Sequence, residues 1–516
     1  MSKTSLKRVL SAVASLAISS TLIFGFNAGA QATTPAVAVP NKVINSQSVG
    51  IQMFMWNWRS IKRECTTYLG PNGIDWVQIS PPQEHVTGGE WWVHYQPVSY
   101  RLDSSLGTRA EFIDMVQTCN GAGVQIIADA VINHMAARSG TGFAGSTFSK
   151  YEYPGLYAPS DFHYNLVNSD PRFCNHNIAN YDAIPETTSC ELGSLPDLAT
   201  EKPNVRQSIA DYLNDMIDIG VAGFRVDAAK HIGSEDLSAI VGMLHTVNGH
   251  QPWIGSETIG GSEVNMPFTH FGDVWAWDMV TSVDTALSAN TMGFAASDWS
   301  GNYTPSANTI TFISNHDTEH HENTTLTYAN SRKFLLAHEW LLAVPFGKPE
   351  LYTGYTYDFG DEGAPGEGDG VTDAVCASSS GPILNYVSGK YVCMHRWRAI
   401  AGMIQWRDAA GTGKQYYTIN NKLPNNGRIL QFNRGTSVAN QTNFIAFNPG
   451  PKPQKKLVPT HMPRGVYCDV ITGGRLPVKS NKTCTGTTIT VVTGGKAYIS
   501  VPAYSAIAFN YITKAK

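Results

Sequence analysis

At 516 residues, 42% hydrophobic and 15% charged, the chain has ample material for a large core and for more than one domain. Its net charge of −4 gives no reason to expect nucleic acid or an anionic membrane surface as a partner. The eight cysteines include no CxxC pair, so a zinc ribbon or thioredoxin-type motif has no support.

The first element reads as a targeting segment. Lys3, Lys7 and Arg8 precede the apolar run Val9 to Phe26, and NAGAQA offers cleavage after Ala30 or Ala32. A membrane anchor is the alternative; serines within the run and the small residues after it favour removal, giving a signal peptide over 1–32. The mature protein is then exported and soluble, where eight cysteines pair as disulfides, most simply in sequence order.

From Val43 the chain alternates short apolar runs with amphipathic stretches. GIDWVQISPP reads as a strand entering a loop, GTRAEFIDMVQTCNGAG as a helix closed by glycine, and VQIIADAVINH as a buried strand. In TEKPNVRQSIADYLNDMIDIG, Val205, Ile209, Leu213, Met216 and Ile217 form a helical stripe, Pro203 suits the first turn and Gly220 the stop. VAGFRVDA follows at once as a strand, and this rhythm predicts parallel βα units. Between Ala136 and Pro196 the pattern dissolves into Gly, Ser, Asn, Tyr and Pro, an insertion between a strand and its helix. After about Gly411 short β-like runs such as RILQFNR, NFIAFNP and AIAFNY predict a separate β-sandwich.

Four apolar runs end in charge or amide. AGFRVDAAKH carries Arg225, Asp227, Lys230 and His231; alternation puts Arg225 and Asp227 on one face and Phe224 and Val226 on the other. ADAVINH places Asp129, Asn133 and His134 at its end, PWIGSE places Glu257, and TFISNHD places Asn315, His316 and Asp317. A lone Arg–Asp pair at a strand end is ordinarily structural. Strand C-termini of a parallel barrel share one face, so four such ends predict an assembled acid–base site.

These four segments resemble the conserved regions of glycoside hydrolase family 13. With DYLNDMIDIGVAGFRVDAAKH, WWVHYQPVSY and FISNHD in order, the chain after residue 32 is similar to the α-amylases of that family, in particular the animal-like type shared with some bacteria. The resemblance implies an α/β fold: a (β/α)8 TIM barrel over 43–135 and 197–411, an inserted calcium-binding domain over 136–196 after the third strand, and a C-terminal antiparallel β-sandwich over 412–516. It implies Asp227 as nucleophile, Glu257 as general acid/base and Asp317 as the residue that holds sugar hydroxyls. Arg225 would keep Asp227 ionised, and burial plus the charge of Asp317 would raise Glu257 above it. Substrate contacts carried over by motif are Trp91, Trp92, Tyr95, Gln96, His134, Arg225, Lys230, His231 and His316, with core packing the bland alternative for Trp91.

By the same resemblance, calcium would take side-chain oxygens from Asn133 and Asp197 and carbonyls from Thr188 and His231. Chloride-activated relatives use an Arg, an Asn and a second basic residue. Arg225 and Asn315 match the first two, but Glu350 stands third, with Lys348 the nearest cation, so the expectation is independence from chloride. NHDTEHHEN holds His316, His320 and His321, but its spacing matches no tetrahedral zinc set; His320, His321 and Glu322 read as a solvated loop beside the cleft. Starch and maltooligosaccharides are the implied substrates, acted on by a secreted monomer with no nucleic acid or membrane partner. A transglycosylase or branched-glucan specialist on the same machinery, or a non-catalytic glucan binder, remain the alternatives.

Overall fold

The computed structural model of the chain describes residues 38–516 apart from 165–173, 175, 293–303, 321–325, 331, 368–369, 377–390, 423–427 and 438. The expected signal segment, His321 and Glu322 lie outside the described residues. Eight parallel strands close a barrel: β1 Gly50–Met53, β2 Trp76–Ile79, β3 Gln125–Ala130, β4 Gly223–Val226, β5 Trp253–Ser256, β6 Asp273–Trp275, β7 Thr309–Thr311 and β8 Lys348–Thr353. Each pairs with its sequence neighbour, and β8 returns to β1 through Gly50 opposite Glu350.

Around the barrel run α1 Trp58–Glu64, α2 Arg109–Gly121, α3 Pro203–Ile219, α4 Ser234–Val241, α5 Trp277–Ser288, α6 Arg332–Ala343 and α7 Arg398–Ala410. Their ends follow local chemistry. Thr108 and Glu111 form a reciprocal cap on α2, while Pro203 opens α3 and Gly220, at φ 117°, stops it. The predicted stripe of α3 is buried, and at about 1.5–3 kcal/mol for each large aliphatic side chain that burial holds the helix on the barrel.

Side-chain alternation turns Ile127 and Asp129, Gly223 and Arg225, and Trp253 and Gly255 into the barrel. Its base is filled by indoles: the rings of Trp76 and Trp253 lie 5.6 Å apart and those of Trp253 and Trp275 6.2 Å apart. Glycine makes room for them, since a Cβ on Gly50 would stand 2.0 Å from the Trp76 ring and one on Gly255 2.7 Å from Trp253 and Trp275. Apolar and aromatic filling at the base leaves the polar inner side chains at the mouth, where the strands end.

Between β3 and α3 the chain makes one long, mostly irregular excursion, with a small ribbon pairing Gly140–Thr141 to Thr147–Phe148 and a disulfide between Cys174 and Cys190. The other disulfides join Cys65 to Cys119, Cys376 to Cys393 and Cys468 to Cys484, the sequential pairing expected.

After α7 come β9 Lys414–Lys422, β10 Arg428–Ser437, β11 Asn440–Asn448, β12 Gln454–Pro459, β13 Gly465–Cys468, β14 Thr488–Val492, β15 Lys496–Val501 and β16 Ser505–Asn510. They form two antiparallel four-stranded sheets, ordered β9-β10-β11-β16 and β12-β15-β14-β13. Phe444, Val458, Ile489, Ile499 and Phe509 help fill the space between them. On its other face the first sheet contributes Leu430, Phe432, Ile445, Phe447, Ala506 and Ala508 to the hydrophobic cluster of the barrel itself. Trp406 of α7 donates to the carbonyls of Phe444 and Phe509, and Arg407 and Arg434 cap the carbonyl end of α6 at Leu342, Val344 and Ala343. Barrel and sandwich share one core.

Candidate active site

The site is built at the strand ends on the inner face of the barrel. β4 carries Arg225 in register with Asp129 of β3 and Gly255 of β5. Beyond Asp227 the chain turns sharply: Ala228 adopts φ 49°, a left-handed conformation costly for a residue with a Cβ, and then enters the single turn Ala229–Ile232. That turn points the Ala228 amide at Glu257, whose Oε2 accepts from it at 3.1 Å.

Arg225 is the hub. Its Nη1 donates to Asp129 Oδ1 and to Asp227 Oδ1, each at 2.7 Å, and its Nη2 stands 2.5 Å from Glu257 Oε1 as an ion pair. The Tyr95 hydroxyl donates to the other oxygen of Asp129 at 2.9 Å. One guanidinium thus faces three buried carboxyls, with Asp317 near. Burial pushes Asp129, Asp227 and Glu257 each up to about 7, and Arg225 opposes it in all three. They titrate as a group that retains a proton near neutrality. Asp227 accepts from Arg225 and Glu257 from the Ala228 amide, both of which favour the ionised form, while the charge of Asp317 raises both carboxyls.

Above this cluster opens a cleft of about 570 Å³. Trp91, Trp92, Tyr95, His134, Asp227, Lys230, His231, Glu257, His316 and Asp317 line it, so ten of the expected catalytic and substrate residues meet in one place. The other two do not reach its wall. Arg225 lies buried beneath, and Gln96 accepts from the Ala137 amide at 3.2 Å, bracing the loop below His134. Trp91 is only 6% exposed and donates to Gly360 O, so it stiffens the wall; Trp92 is half-buried. The Tyr95 ring stacks on His316 at 5.1 Å, and His316 is tied to Gln52 at 2.9 Å. Burial holds His134 and His231 at about 4, so both imidazoles are neutral at pH 7; the His134 ring is bonded to Asn133 at 3.3 Å and to the Tyr95 carbonyl at 3.0 Å, and His231 Nδ1 to Thr187 O.

Some participants were not among the expected site residues. Tyr181, Leu192 and Leu195 reach the cleft from the excursion after β3, and Lys230 Nζ lies 5.7 Å from the centre of the Tyr181 ring. Nothing in a loop of irregular composition flags them. Asp129 was legible as a strand-end acid beside Asn133 and His134. His320 corrects an expectation. It is buried, stacked on Tyr357 at 4.2 Å and bonded to Gly360 O, so it is a packed wall residue and not a solvated loop, because the turn His316–His320 folds inward.

The four expected calcium ligands lie in one region. Asp197 bridges to His134, the neighbour of Asn133, through the main chain. The turn Glu186–Thr188 packs on Ala229–Ile232, with His231 Nδ1 bonded to Thr187 O at 2.9 Å. Asp197 Oδ2 is taken by His163 at 2.6 Å, while its Oδ1 is buried and has no hydrogen-bond partner among the described residues, with the Asn133 side chain beside the carboxylate. An all-oxygen set with such an oxygen fits a hard cation. Elsewhere among the described residues, Cys174, His176 and Cys190 cluster, but both sulfurs are in a disulfide. At the third chloride position Glu350 is buried, accepting from Trp275 Nε1 at 2.6 Å, while Lys348 is bound to Asp273 at 2.7 Å.

Known proteins share this architecture. Residues 68–251 match the family described as alpha amylase, catalytic domain, and residues 420–511 match alpha amylase, C-terminal all-beta domain. An α-amylase of Thermomonospora curvata is 38% identical over 495 residues, covering 93% of this chain and 75% of that protein. The chain belongs to the α-amylase family. An α-amylase of Tribolium castaneum is 35% identical, covering 90% of this chain and 93% of the relative. The crystal structure of wild-type α-amylase I from Eisenia fetida superposes with a TM-score of 0.80 at 29% identity, covering 90% of this chain and 97% of that one. A variant of the same Eisenia enzyme, crystallised with maltohexaose, gives 0.79. As an α-amylase of glycoside hydrolase family 13 the protein is a glycosidase that hydrolyses starch.

Proposed function

We propose that this α-amylase is a retaining endo-hydrolase of the α-1,4 bonds of starch, glycogen and maltooligosaccharides, with Asp227 as nucleophile and Glu257 as general acid/base. The carrying observation is that Asp227 and Glu257 both contact the Arg225 guanidinium at the floor of the cleft. That favours the ~5–5.5 Å carboxyl spacing of direct attack over the wider spacing that admits a water. Asp227 Oδ attacks the anomeric carbon while the Glu257 proton passes to the departing glycosidic oxygen, leaving a covalent glycosyl–enzyme. Glu257, now ionised, takes a proton from water as that water attacks the same carbon and frees Asp227. Two inversions restore the α configuration. His134, His231, His316 and Lys230 hold hydroxyls around the bond, Asp317 holds the distorted ring, and Trp92 offers a face to the sugar.

In this reading the excursion after β3 is an inserted domain. Asn133, Asp197 and the carbonyls of Thr188 and His231 would hold a structural calcium that pins it to the barrel. The unpartnered Asp197 Oδ1 supports this. Glu350 replaces a basic residue, so activity would not depend on chloride. Cleavage after Ala30 or Ala32 would release a secreted monomer, which sequencing the mature N-terminus would check.

The deciding experiment is proton NMR of soluble amylose early in digestion. Fresh α-anomers at the ends of mixed maltooligosaccharides are expected; fresh β-anomers would mean inversion and remove Asp227 as nucleophile.

A further inference from the structure

Charge is distributed very unevenly along this chain. Residues 412–516 hold 14 of the 37 Lys and Arg but one of the 41 carboxylates, Asp469. Asp469 is buried, accepting from the amides of Ile471, Thr472 and Ala508. By formal charge the sandwich is therefore +13 and the residues before it −17. Nine of the sandwich cations are exposed, and among the described residues none of those nine is in an ion pair.

The outer face of the sheet β12-β15-β14-β13 places some of that charge around exposed apolar side chains. Leu457 on β12 pairs with Tyr498 on β15, and they are 54% and 68% exposed. Lys455 lies two residues before Leu457 on the same face, and Lys496 two residues before Tyr498 in the opposite direction. Lys455 is opposite Ser500, four residues from Lys496, so the two ammonium groups flank the pair at roughly 13 Å along the strands. Next to Lys496, Gly495 O accepts from the His461 amide. The His461 ring is stacked on Tyr417 at 3.8 Å, with both residues at positive φ, 53° and 51°. Left-handed conformations of bulky residues are costly and collect at functional surfaces.

We propose that this face docks an acidic polysaccharide, with Tyr498 against a sugar ring and Lys455 and Lys496 on acid groups to either side. A neutral glucan offers the lysines nothing. A chain with a carboxylate on every ring presents acids near the required spacing in any register. Eight of the nine exposed cations are lysines, compact point charges unlike the planar forks that read nucleic acid. The net negative charge of the barrel half repels the same polymer from the cleft. The polymer is therefore an anchor that holds the sandwich, and not a substrate.

The test uses the full chain and immobilised polygalacturonate at about 20 mM salt, where screening is weak. Retention is expected, weakening at least tenfold by about 200 mM salt as released counterions would require. K455E/K496E should lose at least tenfold in affinity and Y498A at least threefold. K479E/K482E, a control away from this face, should stay within twofold of the parent. All three variants should cleave a short maltooligosaccharide at the parent rate, which also reports folding. No retention, K455E/K496E binding within twofold of the parent, or an equal loss in the control would each overturn the proposal. So would tighter binding to double-stranded DNA or to phosphatidylglycerol vesicles at the same salt.

Discussion

Asp227 and Glu257 face the same cation, and the roles proposed for them are tested by removing each carboxyl in turn. Asp227→Asn and Glu257→Gln should each lower kcat by about a thousandfold or more, with KM for a short maltooligosaccharide changed far less. Because each removes a carboxyl from a crowded buried cluster, Tm should hold or rise; a fall of several degrees in both would mean that the cluster is structural. Glu350 gives a second expectation. Burial raises it from 4.5 to about 8, so between those values the fold binds a proton that the unfolded chain has released. Its contribution to stability is present below about 4.5 and falls as pH rises through 8. Glu350→Gln should therefore flatten the loss of Tm between pH 5 and 9; an unchanged slope would reject the assignment. Replacing chloride by an inert anion at fixed ionic strength should leave the parent's activity within twofold, and a several-fold dependence would show that an anion binds despite Glu350.

Elements were legible where their signals are local. The α3 stripe, its opening proline and closing glycine, and the strand ends carrying Asp227, Glu257 and Asp317 all depend on spacing within a few residues, which folding preserves. Tyr181 and His163 were not legible, because contacts made by an irregular excursion depend on residues distant in sequence. His320 was misread for the same reason: the polar run His320, His321, Glu322 looks solvated until the turn that buries His320 is known. The excursion should also answer to calcium. Chelation should lower Tm by several degrees and be reversed by added calcium, and Asp197→Asn should weaken that response while leaving the barrel folded. An Asp197→Asn variant with the parent's full calcium shift would rule out Asp197 as a ligand.

At the scale of the whole molecule, a net charge of −4 concealed two regions of opposite sign, because a sum along the chain erases where the charges lie. The barrel and sandwich were legible as separate stretches of sequence, yet their separation ends at the level of packing. Leu430, Phe432, Ile445 and Phe447 belong to the barrel's cluster, and Trp406 is bonded into the sheet. Calorimetry should therefore find one unfolding transition, and two resolved peaks would contradict a shared core. A chain ending at Gly411 should be insoluble or lose well over 10 °C in Tm, since it bares α7 and the sheet-facing side of α6. The shared core also bears on how such a protein can change over generations. A sandwich that folded alone could be traded between genes like a cassette, whereas this one fits a single barrel surface. Recombination at the junction would have to carry both sides together, so the segment inherited intact is longer than the segment an architect would mark off.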